Sequence, residues 1–202
     1  MHQKIAKIIS AVLHPALIPT YLFAFLLFDT SIVPYHEHKW MLLGIVFLFT
    51  FVFPVLSFFS FLKAKIISAI DIPNREERIK PFLLMSLLYV FITYLFFRLS
   101  PIFDVLTLMM LGISFVLVLV TLITFVHKIS VHAAGVSGGL GTLLGLQYKY
   151  AHEDFLYPVL FFVLLTGIVM SARLSLKAHT LSELMNGFSL GLLITFGVLA
   201  FL

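Results

Sequence analysis

The stretch Phe103-Asp-Val-Leu-Thr-Leu-Met-Met-Leu-Gly-Ile-Ser-Phe-Val-Leu-Val-Leu-Val-Thr-Leu-Ile-Thr-Phe-Val126 carries a single charge, that of Asp104. As a helix it would be roughly 36 Å long, enough to cross the ~30 Å hydrocarbon core of a bilayer. The period-2 alternation of a barrel strand is missing, and a helix satisfies its own backbone hydrogen bonds in lipid. Working outward, further runs of roughly 17–25 mainly apolar residues fall at about 11–28, 40–62, 82–99, 132–148, 155–172 and 184–202. The expectation is an all-α, polytopic transmembrane helix bundle of about seven helices, six being possible, in a single integral membrane domain over residues 1–202.

Composition agrees. Of 202 residues, 61% are hydrophobic and 11% charged, with a mean hydropathy of +1.14, against roughly 45–50% and 25% in an average soluble domain. There is no Cys, which excludes disulfides, thiolate metal sites and a Cys nucleophile. A net charge of +4 on a soluble surface would suit nucleic acid, but here the basic residues sit in short loops between apolar runs. The expected partners are therefore the lipid bilayer and an anionic lipid or phosphate, with no nucleic acid. Met1-His-Gln-Lys-Ile-Ala-Lys7 before an apolar run resembles a signal n-region. No small-residue cleavage site follows, so the segment is read as a retained first helix. The expected location is a bacterial-type cytoplasmic (inner) membrane.

The run Ala133-Ala-Gly-Val-Ser-Gly-Gly-Leu-Gly141 is only moderately apolar, but small residues at this density let helices approach closely, which puts it at the bundle centre. With seven crossings, ten of the thirteen Lys and Arg residues fall on the face that carries the N-terminus. That bias favours a cytoplasmic assignment for this face, except that residues kept for ligand binding are not free topological signals. Orientation stays open.

Three polar segments gather on that face: Asp71-Ile-Pro-Asn-Arg-Glu-Glu-Arg-Ile-Lys-Pro81, His127-Lys-Ile-Ser-Val-His132 and Arg173-Leu-Ser-Leu-Lys-Ala-His-Thr-Leu-Ser-Glu183. Each precedes an apolar run, and the start of a helix favours an anion through its free N–H groups and dipole. Guanidinium and ammonium groups, imidazoles and a carboxylate together suit phosphoryl transfer through a histidine nucleophile.

These segments resemble the motifs of the type 2 phosphatidic acid phosphatase (PAP2) superfamily. Arg173-x5-His179-x3-Glu183 is similar to its last motif, Ser-Arg-x5-His-x3-Asp, with Ala172 for the Ser and Glu183 for the Asp. Ile129-Ser-Val-His132 resembles Pro-Ser-Gly-His through Ser130 and His132. In the first motif, Lys-x6-Arg-Pro, Lys80-Pro81 stands for Arg-Pro, and Pro73 occupies the position of the Lys, so Arg75 and Arg78 would substitute. The resemblance covers residues 71–187 and takes nothing from the first two helices. It implies a PAP2-like core and a metal-independent lipid phosphomonoester or diphosphate hydrolase without a cofactor. His179 would attack phosphorus, Glu183 would orient it, and His132 would protonate the leaving oxygen and then activate water. Arg173, Lys80, Arg78, Arg75 and Ser130 would hold the phosphoryl oxygens.

Local readings compete with these roles. Thr180-Leu-Ser-Glu183 is a capping box, His132 suits a helix cap or the interface, and Arg75-Glu-Glu-Arg78 suits a solvated charge run. Lys128 and Lys177 read as headgroup anchors. His14 and His127 have no spacing that ties them to the cluster and read as structural, while His36-Glu-His38 and His152-Glu-Asp154 read as solvated loops. Rival functions are a non-catalytic lipid-phosphate binder, an anion or lipid transporter, and a zinc hydrolase built on His132, His179 and Glu183.

Overall fold

The structure, a computed structural model, describes residues 1–33, 38–69, 72, 74–99 and 105–202. Among the described residues it is all helix, without a strand. We number the helices α1 Gln3–Val12, α2 Ile18–Asp29, α3 Lys39–Lys63, α4 Arg75–Leu99, α5 Val105–Thr124, α6 Val131–Lys149, α7 Leu156–Ser175 and α8 Leu181–Phe201. Five of them, α3, α4, α5, α7 and α8, are long and apolar enough to cross a membrane. The chain is thus a multi-pass membrane protein, and exposed Trp40, Leu56, Phe91, Leu122, Leu164 and Leu193 are the apolar surface it offers to lipid.

Two expectations need correction. The first apolar run does not form one helix over 11–28, because Pro15 has no N–H to continue α1 and disfavours helix at His14. The chain turns there and restarts with Pro19 in the first turn of α2; with the Gly-rich α6 also too weakly apolar to count, five long apolar helices stand among the described residues where seven spans were expected. At 12 residues α2 is only about 18 Å long. Its flanking residues lengthen the path: His14 lies on His132 at the start of α6, and Ser31 bonds Glu153 just beyond its end. Second, the helix expected from residue 82 already starts at Arg75 and takes Pro81 into its interior.

α1 has three faces. Ala6 and Ser10 are buried, Ile5, Ile8 and Val12 form an exposed apolar stripe, and Lys4 and Lys7 are exposed beside it. That pattern suits a helix lying at headgroup level.

The centre of the bundle is the crossing of α6 and α8, built on small residues. A Cβ on Gly187 would lie 2.5 Å from the Ser130 carbonyl oxygen, and one on Gly191 would press into the Ala134 carbonyl. From the other helix, a Cβ on Gly145 would lie 2.5 Å from that of Leu199. Thr195 Oγ1 donates to the Gly138 carbonyl at 2.7 Å. Backbones this close gain dispersion contacts that bulkier side chains would forbid.

Polar pairs join α4 to α5: Ser86 with Thr121 at 2.8 Å and Thr93 with Ser114 at 2.7 Å. α3 carries a π-turn at Leu48–Val52 just before Pro54. Pro54 has no N–H to give the Thr50 carbonyl, and Tyr89 Oη on α4 donates to that oxygen instead at 3.2 Å. The bond matters because an unpaired carbonyl at membrane depth is costly.

Both α3 and α7 end in Schellman turns closed by lysines. Lys65 and Lys177 hold φ of 56° and 52°. Ile66 N bonds Phe61 O at 2.9 Å, and Ala178 N bonds Arg173 O at 3.1 Å, the six-to-one bond of that motif. The second turn carries the chain from Arg173 to His179 within six residues.

Candidate functional site

α4 brings the first cationic groups. Residues 78, 82, 85, 89, 92 and 96 recur at helical spacing, and all six are buried. Arg78 is the polar head of this stripe, 6% exposed, with its Nε donating to the Ile72 carbonyl at 2.8 Å. Arg75 Nη1 donates to the carbonyls of Thr124, at 3.2 Å, and Phe125, fastening α4 to the end of α5. Lys80 is exposed, so the first segment sends Arg78 inward and Lys80 outward. Glu77 bonds Ser68 and Asn74 in the α3–α4 connection and stays out of the cluster. Asp71 and Pro73 lie outside the described residues.

The second segment is tied to the third by backbone. Ser130 N donates to Glu183 O at 3.2 Å, and Lys128 Nζ donates to Ala178 O at 3.0 Å. Ser130 Oγ caps α6 by accepting from Ala133 N at 3.3 Å, so its amide and hydroxyl both serve the fold. Lys128 was expected at the headgroups but braces the turn that carries His179. Lys177 and His127 are exposed.

In the third segment His179 is 7% exposed, and its Nδ1 lies 2.6 Å from Glu183 Oε2 one helical turn on. A carboxylate only accepts, so the imidazole proton sits on Nδ1 and the Nε2 lone pair is left available. Burial, joined by the charges of Arg78 and Arg173, pushes His179 down to about 4 against the opposing pull of Glu183. The ring is therefore neutral at pH 7. The expected capping box is half formed: Thr180 Oγ1 accepts from Glu183 N at 3.3 Å, while the Glu183 side chain turns to His179. Arg173, in the last turn of α7, is 7% exposed and within electrostatic reach of Arg78, His14, His132 and His179.

His132 is half-buried at the start of α6, with Nε2 3.3 Å from the Ser10 carbonyl. The His14 ring packs against it edge to face, with centroids 5.2 Å apart and planes at 82°. His14 had been read as structural, and the motif resemblance as taking nothing from the first two helices. The signal was His14-Pro15 itself: a proline that breaks an apolar run leaves the preceding His at a helix entrance, as in the other segments.

The structure thus gathers His132, His179, Glu183, Arg173 and Arg78, adds His14, and leaves Lys80 outside. Among the described residues no three His, Asp or Glu side chains are grouped to hold a metal ion. On the opposite face Glu153 bonds Ser31 and Asp154 bonds Leu156 N, as loop residues do. His36 and Glu37 lie outside the described residues.

An apolar cavity of about 100 Å³ adjoins the cluster. His14, Phe82 and Val131 line it beside the polar groups, and Tyr89, Val120 and Thr195 line it deeper in the bundle.

The chain matches no family model, no curated protein and no solved structure.

Proposed function

We propose that this chain is a membrane lipid phosphatase that hydrolyses a phosphomonoester or diphosphate through a phosphohistidine, as the PAP2-like motifs imply. The observation that carries the reading is the 2.6 Å bond from His179 to Glu183, with Arg173, Arg78 and His132 around it. This bond holds the proton on Nδ1, and the Nε2 lone pair attacks phosphorus while the bond to the leaving oxygen breaks. His132 gives that oxygen a proton. Water then gives a proton to His132 and attacks the phosphohistidine, breaking the N–P bond and releasing phosphate. A phosphoryl dianion supplies the negative charge that lets His132 hold its second proton, and two guanidiniums oppose the charge that spreads over the equatorial oxygens. The apolar cavity beside the cluster would receive only part of the chain of such a lipid, the rest lying against the exposed apolar faces of the helices.

The test is phosphate release from phosphatidic acid and a polyprenyl diphosphate by purified protein in EDTA. His179→Ala should abolish release, and full activity in that variant refutes the mechanism. A second reading, a lipid-phosphate binder without turnover, draws on the exposure of Lys80 and the use of Ser130 by the fold. Binding of both lipids with no release from either would favour it.

A further inference from the structure

The residues before α2 make contacts that packing alone does not require. The last four carbonyls of a helix have no partner within it, and in α1 that of Ser10 meets His132 Nε2 at 3.3 Å. A carbonyl only accepts, so this contact keeps a proton on Nε2 of His132 and leaves Nδ1 to take or give one. Two residues beyond α1, His14 Nδ1 accepts from Ala16 N at 3.3 Å, which fixes the His14 proton on Nε2. Pro15 then seats against α6, where a Cβ on Gly135 would come within 2.7 Å of the proline Cβ. The glycine lies three residues after His132, so the approach that it permits sets the His14 ring on the His132 ring. His14 also lines the apolar cavity. Burial and then the charge of Arg173 push its pKa down to about 4, which keeps it a neutral N–H donor at pH 7.

We infer that the α1–α2 hairpin is a working part of the site: Ser10 sets the tautomer of His132, and His14 donates its Nε2–H to an oxygen of the bound phosphoryl group. This rests on the phosphatase reading and adds to it a binding residue outside the three motif segments. A neutral donor complements the guanidiniums by bonding an oxygen without further raising the cationic charge around His132.

The experiment compares His14→Phe, which keeps a ring without a donor, with His14→Gln, whose amide reaches about as far as Nε2. Release of phosphate from dioctanoyl phosphatidic acid is measured beside His179→Ala. His14→Phe should lower kcat by about 100-fold or more, and His14→Gln should stay within several-fold of the unmodified protein. The inference is overturned if His179→Ala is inactive while His14→Phe keeps full kcat, or if Phe and Gln impair it equally. No release by the unmodified protein removes the phosphatase reading instead, and activity surviving in His179→Ala removes the phosphohistidine mechanism. A second readout does not need turnover: ¹⁵N-histidine spectra in micelles should place the protons of His14 and His132 on Nε2. Added inorganic phosphate should move the His14 Nε2 signal, and an Nδ1-protonated His132 or an unmoved His14 signal refutes the assignment.

Discussion

Gly187→Ala isolates the close approach of α6 and α8 from every side chain of the site. The new Cβ would lie 2.5 Å from the Ser130 carbonyl oxygen, whereas carbon–oxygen contacts in proteins settle at about 3.3 Å or more. The helices must part by about 0.8 Å where Ser130 N bonds Glu183 O. Alanine returns up to ~1 kcal/mol of helix propensity, and overpacking costs about 1–3 kcal/mol, so net stability should fall by about 0–2 kcal/mol. Activity should suffer more, because a misplacement near 1 Å costs about 100-fold in rate, and here it separates His132 from His179. Gly197→Ala, on the same helix with nothing within 4 Å, is the control and should be at least as stable as the unmodified protein. Unfolding in mixed micelles and phosphate release from dioctanoyl phosphatidic acid measure the two effects. Equal stability and equal activity in the two variants would refute the packing argument.

Three further outcomes are expected. Tyr89→Phe strips the Thr50 carbonyl of its donor and should cost about 1–3 kcal/mol, and the cost should shrink in a Pro54→Ala background, which restores a backbone N–H; an unchanged cost in the double mutant counts against the role given to Pro54. In the proposed mechanism neutral His179 attacks, so kcat/KM should hold through neutral pH and fall as pH drops through about 4. The acid limb of kcat should lie higher, because bound phosphate favours the imidazolium, and a kcat/KM limb at the ordinary value near 6.5 would contradict the buried cationic surroundings. Arg78→Ala should lower kcat/KM by about 100-fold or more while Lys80→Ala stays within a few-fold, and the reverse order would reassign the phosphate contact to Lys80.

The long apolar helices were legible because lipid imposes one rule on every residue of a run. α3, α5, α6, α7 and α8 begin and end within about three residues of the expected bounds, close to the fraying of helix ends. The pairing of His179 with Glu183 was legible through the motif resemblance, and the bond forms between the residue before the N-cap Thr180 and the first turn of α8. What escaped depended on helical phase and on partners distant in sequence. Pro81 was read as a boundary, which hid that Arg78 heads the stripe of Phe82, Met85 and Tyr89 and that Lys80 falls off it. The glycines of α6 announced a close neighbour without naming it. Gly187-x3-Gly191 of α8 was the answering signal, and it becomes readable only once the two helices are set together. His14 lay within a run read as one helix over 11–28 although Pro15 and Pro19 interrupt it, and the break at Pro15 gives it a place beside His132.

The two lysine-closed turns have a consequence for depth. A left-handed Lys costs about 1 kcal/mol or more relative to Gly, yet Lys65 and Lys177 stand where glycine would close the turn without strain. Both side chains are exposed at the same end of the bundle, where an ammonium seeks the phosphate layer of the bilayer. Two such moorings on helices as far apart in sequence as α3 and α7 oppose sliding along the membrane normal and tilting about the bundle axis. On the phosphatase reading, His179, two residues past Lys177, would stand near the level of the lipid phosphates, and a substrate would reach it by drifting sideways through the leaflet without being lifted out.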